Sequence, residues 1–511
     1  MSGLAELAQV VGLQYRSGAS GELWADCPQA EFSANAKELA SRALLSDLFA
    51  SVGEDGRSLT AVFSTIGDSA WLVLRTQLPD DHFDSLTSAV HAASWYEREI
   101  AEMYGIHPDG HPAPQPLRLH DWPHRYHPMR DELSLMKSLP SAHGDRVPKV
   151  RGQGVFQLPL GPVRSGPQES AEFLFNSGGE DLVMVSPRFG YKMRLVERLA
   201  EGRSVDEALI LAERMAGIST YANALAFVQA AERAAGIEID DETNRARSLL
   251  NELERLHHHF GYLGRVADST GLTVAAAQYA ALKEEVLRVN AGLTGHRYLR
   301  GLLALGGLSE TLSETGHADM VVALPHWEKR SRRLEALLED TATFIDRLDS
   351  TAVLAPDYAA QHNLLGPIGR STGADRDCRR DHPYAGYKSL PFEVLVKSQG
   401  DALARVRIVL FEVVQSLRIV KQVLEQWPKT ELAASPASKG GSALGWAEAP
   451  GGESLHFVQL DDAGNVVRWR ARPPALVNWH PYAHACASGN NLTDYPVIEA
   501  SFGISHAEFD R

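Results

Sequence analysis

The sequence predicts an α+β protein: an N-terminal α/β segment, then a mainly α-helical segment with small β-hairpins. Three observations predict it. Strand-like runs, SLTAVFSTI (58–66) and AWLVLRTQL (70–78), lie between helical patterns in the first 130 residues. Apolar residues at three- and four-residue spacing dominate from about 204 to 350. Short apolar runs joined by glycine-containing turns stand on either side of that region.

Bulk properties bound the function. A chain of 511 residues accommodates two or three domains. Its net charge of −15 argues against a nucleic-acid partner, which selects a basic face. No run of eighteen apolar residues is present, and the first twenty residues lack a basic start followed by an apolar core. Cys27, Cys378 and Cys486 are far apart and form no C-x-x-C pair, so no disulfide framework is indicated. These features predict a cytoplasmic protein.

The N-terminal segment reads as helices over 34–52 and 82–102 with the two strands between them. The second helix continues through SWYEREIAEMYGI (94–106), with Gly105 placed to end it. A loop dense in proline follows, with five histidines between His107 and His127. Their spacings lie among prolines rather than on a helix face, so the loop reads as a docking tail and not a metal site. Residues 133–153 read as a polar linker.

Beyond the linker, EFLF and LVMVS flank the turn NSGGED and predict a hairpin. Helices follow over about 204–236, 247–264, 278–308 and 320–348. The charged stretch STGADRDCRRD then holds Asp375, Arg376, Asp377, Arg379, Arg380 and Asp381, with Arg370 just before it. A helix over 394–425, a Gly/Ser linker and a second hairpin with its turn at DAGN complete the order.

The stretch 247–264, RSLLNELERLHHHFGYLG, organises the rest. Leu249, Leu250, Leu253, Leu256, Phe260 and Leu263 lie on one helical face. The direct reading is an amphipathic helix with a solvated charged face. However, Arg247, Glu252, Glu254, Arg255 and His259 also resemble the R-x-x-x-x-E-x-E-R-x-x-x-H helix of the large subunit shared by nickel–iron hydrogenases and respiratory complex I. Trp95, Glu97, Arg98, Glu99, Ile100, Met103, Gly105 and Ile106, followed by His127, Pro128, Arg130 and Asp131, are similar to the 30-kDa subunit of complex I. Further matches are Gly295-His296-Arg297, the D-H-P-Y-A run from Asp381 and the C-terminal E-A-P and R-x-R-P motifs. The chain therefore resembles a fused 30-kDa/49-kDa-type large subunit, similar to that of formate hydrogenlyase.

The resemblance implies a 30-kDa-like domain at 1–132, the linker at 133–153 and a large-subunit domain at 154–511. It implies a complex that couples electron transfer to proton or ion translocation. The expected partners are a small iron–sulfur subunit, a ferredoxin-like subunit and membrane-arm subunits. Iron–sulfur clusters would reside in those partners and none in this chain. The chain would lie on the inner face of the cell membrane, held peripherally through them.

The family's metal ligands are missing. A nickel–iron centre takes four soft thiolates from two C-x-x-C pairs. The first, R-x-C-G-I-C, is here Arg214-Met215-Ala216-Gly217-Ile218-Ser219. The second, D-P-C-x-x-C-x-x-R, is replaced by the run Gly503 to Arg511, without cysteine. A standard nickel–iron site is therefore rejected. The complex I relatives use the same cavity for a quinone, held by a histidine and a tyrosine, where this chain has Gln168 and Ile218. Carried over residue by residue, Glu169 matches a proton-transfer glutamate, and Arg164 and Tyr221 join it as candidate catalytic groups. Gln168, Ser219, Arg370 and Asp375 are the candidates for holding a quinone or another acceptor. His506 and Glu508 approach from the C-terminal end. Glu252 and Glu254 are expected to pair with Arg370, Arg376 or Arg380. The alternative to an acceptor pocket is a scaffold subunit without redox chemistry of its own.

Overall fold

The computed structural model describes residues 3–511 apart from 19–20, 54–55, 124, 132–146, 166–167 and 434–439, so most of the expected linker lies outside the described residues. The architecture is α+β. The N-terminal unit is a five-stranded sheet in the order Tyr15–Ser17, Leu23–Asp26, Leu72–Leu78, Gly56–Ser64, Leu44–Gly53. The second and third of these strands pair in parallel and the other neighbours antiparallel.

Two helix boundaries in the N-terminal unit differ from the sequence reading. The helix expected over 34–52 is Gln29–Ala40, and 44–53 is a strand. That strand is buried on both faces, so its apolar residues lose the period of two and imitate a helix. It sits at the sheet edge, but the helix Ser94–Tyr104 and the strand Val466–Arg472 pack against it. The second expected helix, 82–102, opens instead as the strand His82–Asp84, paired with His107–Asp109, and becomes helical only at Ser94. It ends as expected on Gly105, at φ +67°.

The histidine-rich loop docks as expected. Glu102 accepts the backbone N–H groups of Leu117, Arg118 and Leu119 at 2.8, 2.9 and 3.2 Å. Arg118 in turn donates to the Phe509 carbonyl at 3.2 Å, fastening the loop to the C-terminal end of the chain.

The large unit is built on the helix Asp241–Ser269, which starts on an Asp240 cap. The helices Thr220–Ala235, Thr273–Thr294 and Ala402–Glu425 surround it. Its charged side is not solvated: Arg247, Glu252, Glu254, Arg255 and His259 are all buried, which overturns the direct amphipathic reading. The expected 320–348 helix is two, Glu314–Glu339 and Ala342–Leu348, and the 394–425 helix begins only at Ala402, capped by Asp401. Both predicted hairpins form, and each gains a third strand: Val155–Leu160 for the first and Gly441–Ala449 for the second.

The strand Gly441–Ala449 lies directly against the helix Thr220–Ala235. Gly445 permits this, because a Cβ there would collide with the Ala226 carbonyl oxygen and the Ala230 nitrogen. Both obstacles are backbone, so neither yields by a rotamer change. Gly445→Ala should cost at least the roughly 1–3 kcal/mol of core overpacking, read as a lower denaturant midpoint. An unchanged midpoint would mean that helix and strand separate freely.

Candidate functional site: the former metal pocket

In the family register the four sulfur positions are Ala216, Ser219, Ser505 and Glu508. The fold brings the two motifs together. Ser219 precedes the helix Thr220–Ala235, and Ser505 caps the short C-terminal helix His506–Asp510. Glu508 accepts hydrogen bonds from the Ser219 hydroxyl and from the Asn223 amide, the latter at 3.0 Å. Asn223 accepts from Ser454 at 2.8 Å, which ties the pocket to the C-terminal sheet.

The donor set does not fit a nickel–iron centre. Ala216 offers no ligand, the two serines offer hard hydroxyls, and Glu508 is a hard carboxylate already hydrogen-bonded.

Glu169 lies at the mouth of this pocket. Its carboxylate accepts from the Ser505 hydroxyl at 2.9 Å, from the Ala507 N–H at 2.8 Å and from the His506 N–H. These are the free donors of a helix start, where negative charge is favoured. Burial pushes the carboxyl up, but the donors from His506, Ala507 and Ser505 override it and hold its pKa down at about 2. Glu169 is thus a fixed anion that pins the C-terminal helix.

Arg164, close to Glu169 in sequence and opposite in charge, does not pair with its carboxylate. It donates to Glu499 at 2.6 Å and reaches only the Glu169 carbonyl, at 3.2 Å. Gln168 is exposed and accepts from Arg164 at 3.3 Å.

Tyr221 is completely buried and its hydroxyl has no hydrogen-bond partner among the described residues. The charges that weigh most on it are Arg247, Glu254, Glu232 and Glu213, and its backbone N–H donates to Glu254 at 2.6 Å.

Two of the expected ion pairs are also rearranged. Glu254 does not meet the charged loop. It accepts the Tyr221 and Ala222 N–H groups at 2.6 and 2.8 Å, at the start of the helix Thr220–Ala235. Burial pushes its carboxyl up to about 7, the two N–H donors offset this only in part, and Glu508 adds repulsion. Burial likewise pushes Glu508 up to about 7, with Glu169 adding to the rise. Glu169, Glu508 and Glu254 thus form an electrostatic series, one fixed as an anion and two poised near neutrality.

The charged loop is buried at Arg376, Asp377 and Arg379 and exposed at Asp375 and Arg380, and its partners differ from those expected. Glu252 binds Arg379 at 3.0 Å, Tyr387 and Ser416 at 2.6 Å and Arg255 at 3.4 Å. Arg370 binds Glu412, Glu448 at 3.2 Å and Asp377 at 3.4 Å. Arg376 binds Glu453 at 3.0 Å instead of the central helix. Arg380 and Asp375 pair with each other at 2.7 Å on the surface, so Asp375 takes no part in the pocket.

Three guanidinium groups, of Arg255, Arg370 and Arg379, here face the four carboxylates of Glu252, Asp377, Glu412 and Glu448. The surplus falls on Glu448, which burial and then Asp377 push up despite the arginines. Arg370, a candidate acceptor ligand in the sequence reading, has its charge engaged inside this cluster.

Sequence reasoning missed Asn223 and the role of Glu508. Nothing in the sequence marks Asn223. Glu508 was findable, because the C-x-x-C-x-x-R register ending on Arg511 places it at a ligand position.

Comparison with known proteins agrees with this architecture. Residues 27–138 match the family model of the respiratory-chain NADH dehydrogenase 30 Kd subunit, and residues 269–439 match that of its 49 Kd subunit. Residues 194–264 match the nickel-dependent hydrogenase model. The chain is 30% identical to formate hydrogenlyase subunit 5 of Escherichia coli over 90% of its own length and 84% of that protein's. It is 30% identical to hydrogenase-4 component G of the same organism, over 90% and 83%. It is 26% identical to an NADH-quinone oxidoreductase subunit of Acinetobacter baumannii, over 82% and 78%. A chain in the structure of the membrane-bound sulfane sulfur reductase, an archaeal respiratory membrane complex, shares the fold at a TM-score of 0.67 and 23% identity, covering 70% of this chain and 99% of that one. This chain therefore belongs to the family of hydrogenase and complex I large subunits that includes formate hydrogenlyase subunit 5, in the fused form that carries both 30 Kd-type and 49 Kd-type segments.

Proposed function

We propose that this chain is the large-type subunit of a membrane-associated hydrogenase-like or complex-I-like assembly, and that its former metal pocket is a closed structural core. The chain divides into a 30-kDa-like unit at 1–132, a linker at 133–153 and a large-subunit unit at 154–511. Its partners are a small iron–sulfur subunit, a ferredoxin-like subunit and membrane-arm subunits, and the clusters that carry electrons lie in them. Contact with the cytoplasmic face of the membrane runs through those partners. No helix among the described residues is long and apolar enough to cross a membrane.

One observation carries this reading. The polar groups at the former ligand positions are spent on one another: Ser505 on Glu169, and Ser219 with Asn223 on Glu508. The test is the complex isolated from its native host. Nickel should be near background, and Glu169→Gln should lower stability by about 1.5–3 kcal/mol, the range for charge-assisted hydrogen bonds, while turnover of the assembled complex holds. One nickel per chain with hydrogen uptake would overturn it.

A second reading has its own support. Burial pushes Glu254 and Glu508 up to about 7, the acidity that a proton relay to a neighbouring redox partner requires. On this reading Glu508→Gln lowers turnover at least tenfold with assembly intact. An unchanged rate leaves the structural core. Stability reports the protonation independently. Each folded pKa is raised above the ordinary 4.5, so the contribution is full below pH 4.5 and declines as pH rises toward 7. Glu508→Gln should therefore gain on wild type across that window, by at most about 1.4 kcal/mol per pH unit, in denaturant melts at stepped pH. A constant difference would show that Glu508 titrates normally.

A further inference from the structure

Three histidines outside the former metal pocket meet on one side of the molecule. His91 lies in the short turn His91–Ala93 ahead of the helix Ser94–Tyr104. His362 ends the helix Pro356–Gln361, and His480 follows the helix Pro474–Asn478. One ring nitrogen of each lies within 4.8 Å of the others. The first comes from the N-terminal unit and the other two from the large unit, so the cluster spans the junction between them.

The rings of His91 and His480 stack at 5.1 Å between centroids, and His362 meets each of them edge-on at 4.6 and 4.5 Å, so ligation to one ion requires His91 to turn out of the stack. His362 is 2% exposed, and its Nδ1 faces the Tyr358 carbonyl at 2.8 Å. That bond places the ring proton on Nδ1 and leaves a lone pair on Nε2, the arrangement that orients metal-binding imidazoles. Nε2 of His362 is buried and has no hydrogen-bond partner among the described residues. Tyr358 packs on the His362 ring at 4.4 Å between centroids, and Trp95 stacks on His480 at 4.8 Å, fixing both orientations. Burial lowers the pKa of His91, brings that of His362 to about 4 and takes that of His480 well below its ordinary value.

We propose that His91, His362 and His480 form a binding site for a zinc-class divalent transition-metal ion that ties the N-terminal unit to the large unit. Three neutral nitrogens and no carboxylate select a borderline ion over magnesium or calcium. Zinc–nitrogen bonds of about 2.0–2.1 Å put tetrahedral ligands about 3.4 Å apart, so the cluster needs to contract by roughly an ångström. His91 supplies that movement, because it is exposed and sits in a short turn. It also lines an open cavity of about 850 Å³ that reaches Lys37, Ser41, Thr87 and Asn363, which gives the ion an entry path and leaves the fourth position to water.

The test uses the full chain, stripped of metal and titrated with zinc alone in a calorimeter. One equivalent should bind with micromolar or tighter affinity, and cobalt in its place should give the visible bands of a tetrahedral nitrogen site. His91→Gln should weaken binding at least tenfold, and because the side chain is exposed this variant keeps its fold. His480→Gln should do the same, with circular dichroism checking the fold. Zinc should raise the melting temperature of wild type and leave that of His91→Gln unmoved. His107→Gln, in the separate histidine-rich loop, should bind as wild type does. No uptake by wild type, equal affinity in His91→Gln, or loss of binding in His107→Gln would each overturn the assignment.

Discussion

Arg370→Met should leave the chain without a cooperative native state at ordinary temperatures. Arg370 is the one guanidinium that touches Asp377, Glu412 and Glu448 together, and all four side chains are buried. The cluster already has one more carboxylate than guanidinium groups, and Glu448 is pushed up as a result. Methionine fills much the same volume but leaves two surplus buried anions. Removing one member of a single buried pair costs about 3–5 kcal/mol. Here three carboxylates lose their shared partner, which exceeds a large part of the 5–15 kcal/mol that holds a typical domain folded. Arg380→Met, on the same loop, is the control. Arg380 is exposed and pairs with Asp375 and Asp381 at the surface, where such bridges contribute about 0–1 kcal/mol. Melting curves of the two variants should differ by far more than either differs in charge. Matching curves would mean that the cluster is hydrated.

Glu99→Gln should loosen the junction between the two units. Glu99 lies in the helix Ser94–Tyr104 and receives three arginines: Arg118 at 2.7 Å from its own unit, and Arg470 at 2.8 Å and Arg511 from the other. Burial alone would raise its carboxyl, but Arg470, Arg511 and Arg118 hold it well below the usual carboxylate range. The expected loss is again about 3–5 kcal/mol at neutral pH. The pH dependence follows from the depressed folded pKa. Its contribution is complete above the unfolded value of 4.5 and disappears as pH falls from there toward the folded value. The gap between wild type and Glu99→Gln should therefore be full at pH 7 and shrink below pH 4.5. Hydrogen exchange should rise first at the C-terminal helix His506–Asp510, whose last neighbour is Arg511. A gap constant down to pH 3 would mean that Glu99 is not the ionised partner.

Much of this is legible in the sequence, and the failures have physical causes. The central helix follows from its apolar spacing, but a helix buried all round has no solvated face. Its charges can be assigned to the interior only by family resemblance. The pairing inside the cluster is not legible, because Glu252 could reach several arginines and only the backbone path places Arg379 beside it. The strand Leu44–Gly53 reads as a helix because it is covered on both sides. In the pocket, the loss of sulfur is plain from the two motifs. The hydrogen bonds of Glu169 to Ser505 and of Ser219 and Asn223 to Glu508 are not legible there, because they join segments hundreds of residues apart. Arg164 matches its sequence neighbour Glu169 in charge, whereas its partner Glu499 is hundreds of residues away and invisible to local reading.

The carboxylates in the former pocket also bear on how the subunit is made. Where thiolates join two distant motifs through an ion, that joint cannot close until the ion has been delivered. In this chain the same two motifs are joined by Glu508 to Ser219 and Asn223, and by Glu169 to the start of the last helix. Every atom of that joint is encoded in the polypeptide. The C-terminal helix can therefore dock as soon as its last residues are synthesised, on a timescale set by chain motion rather than by metal supply, and chelators present during folding should leave this joint intact.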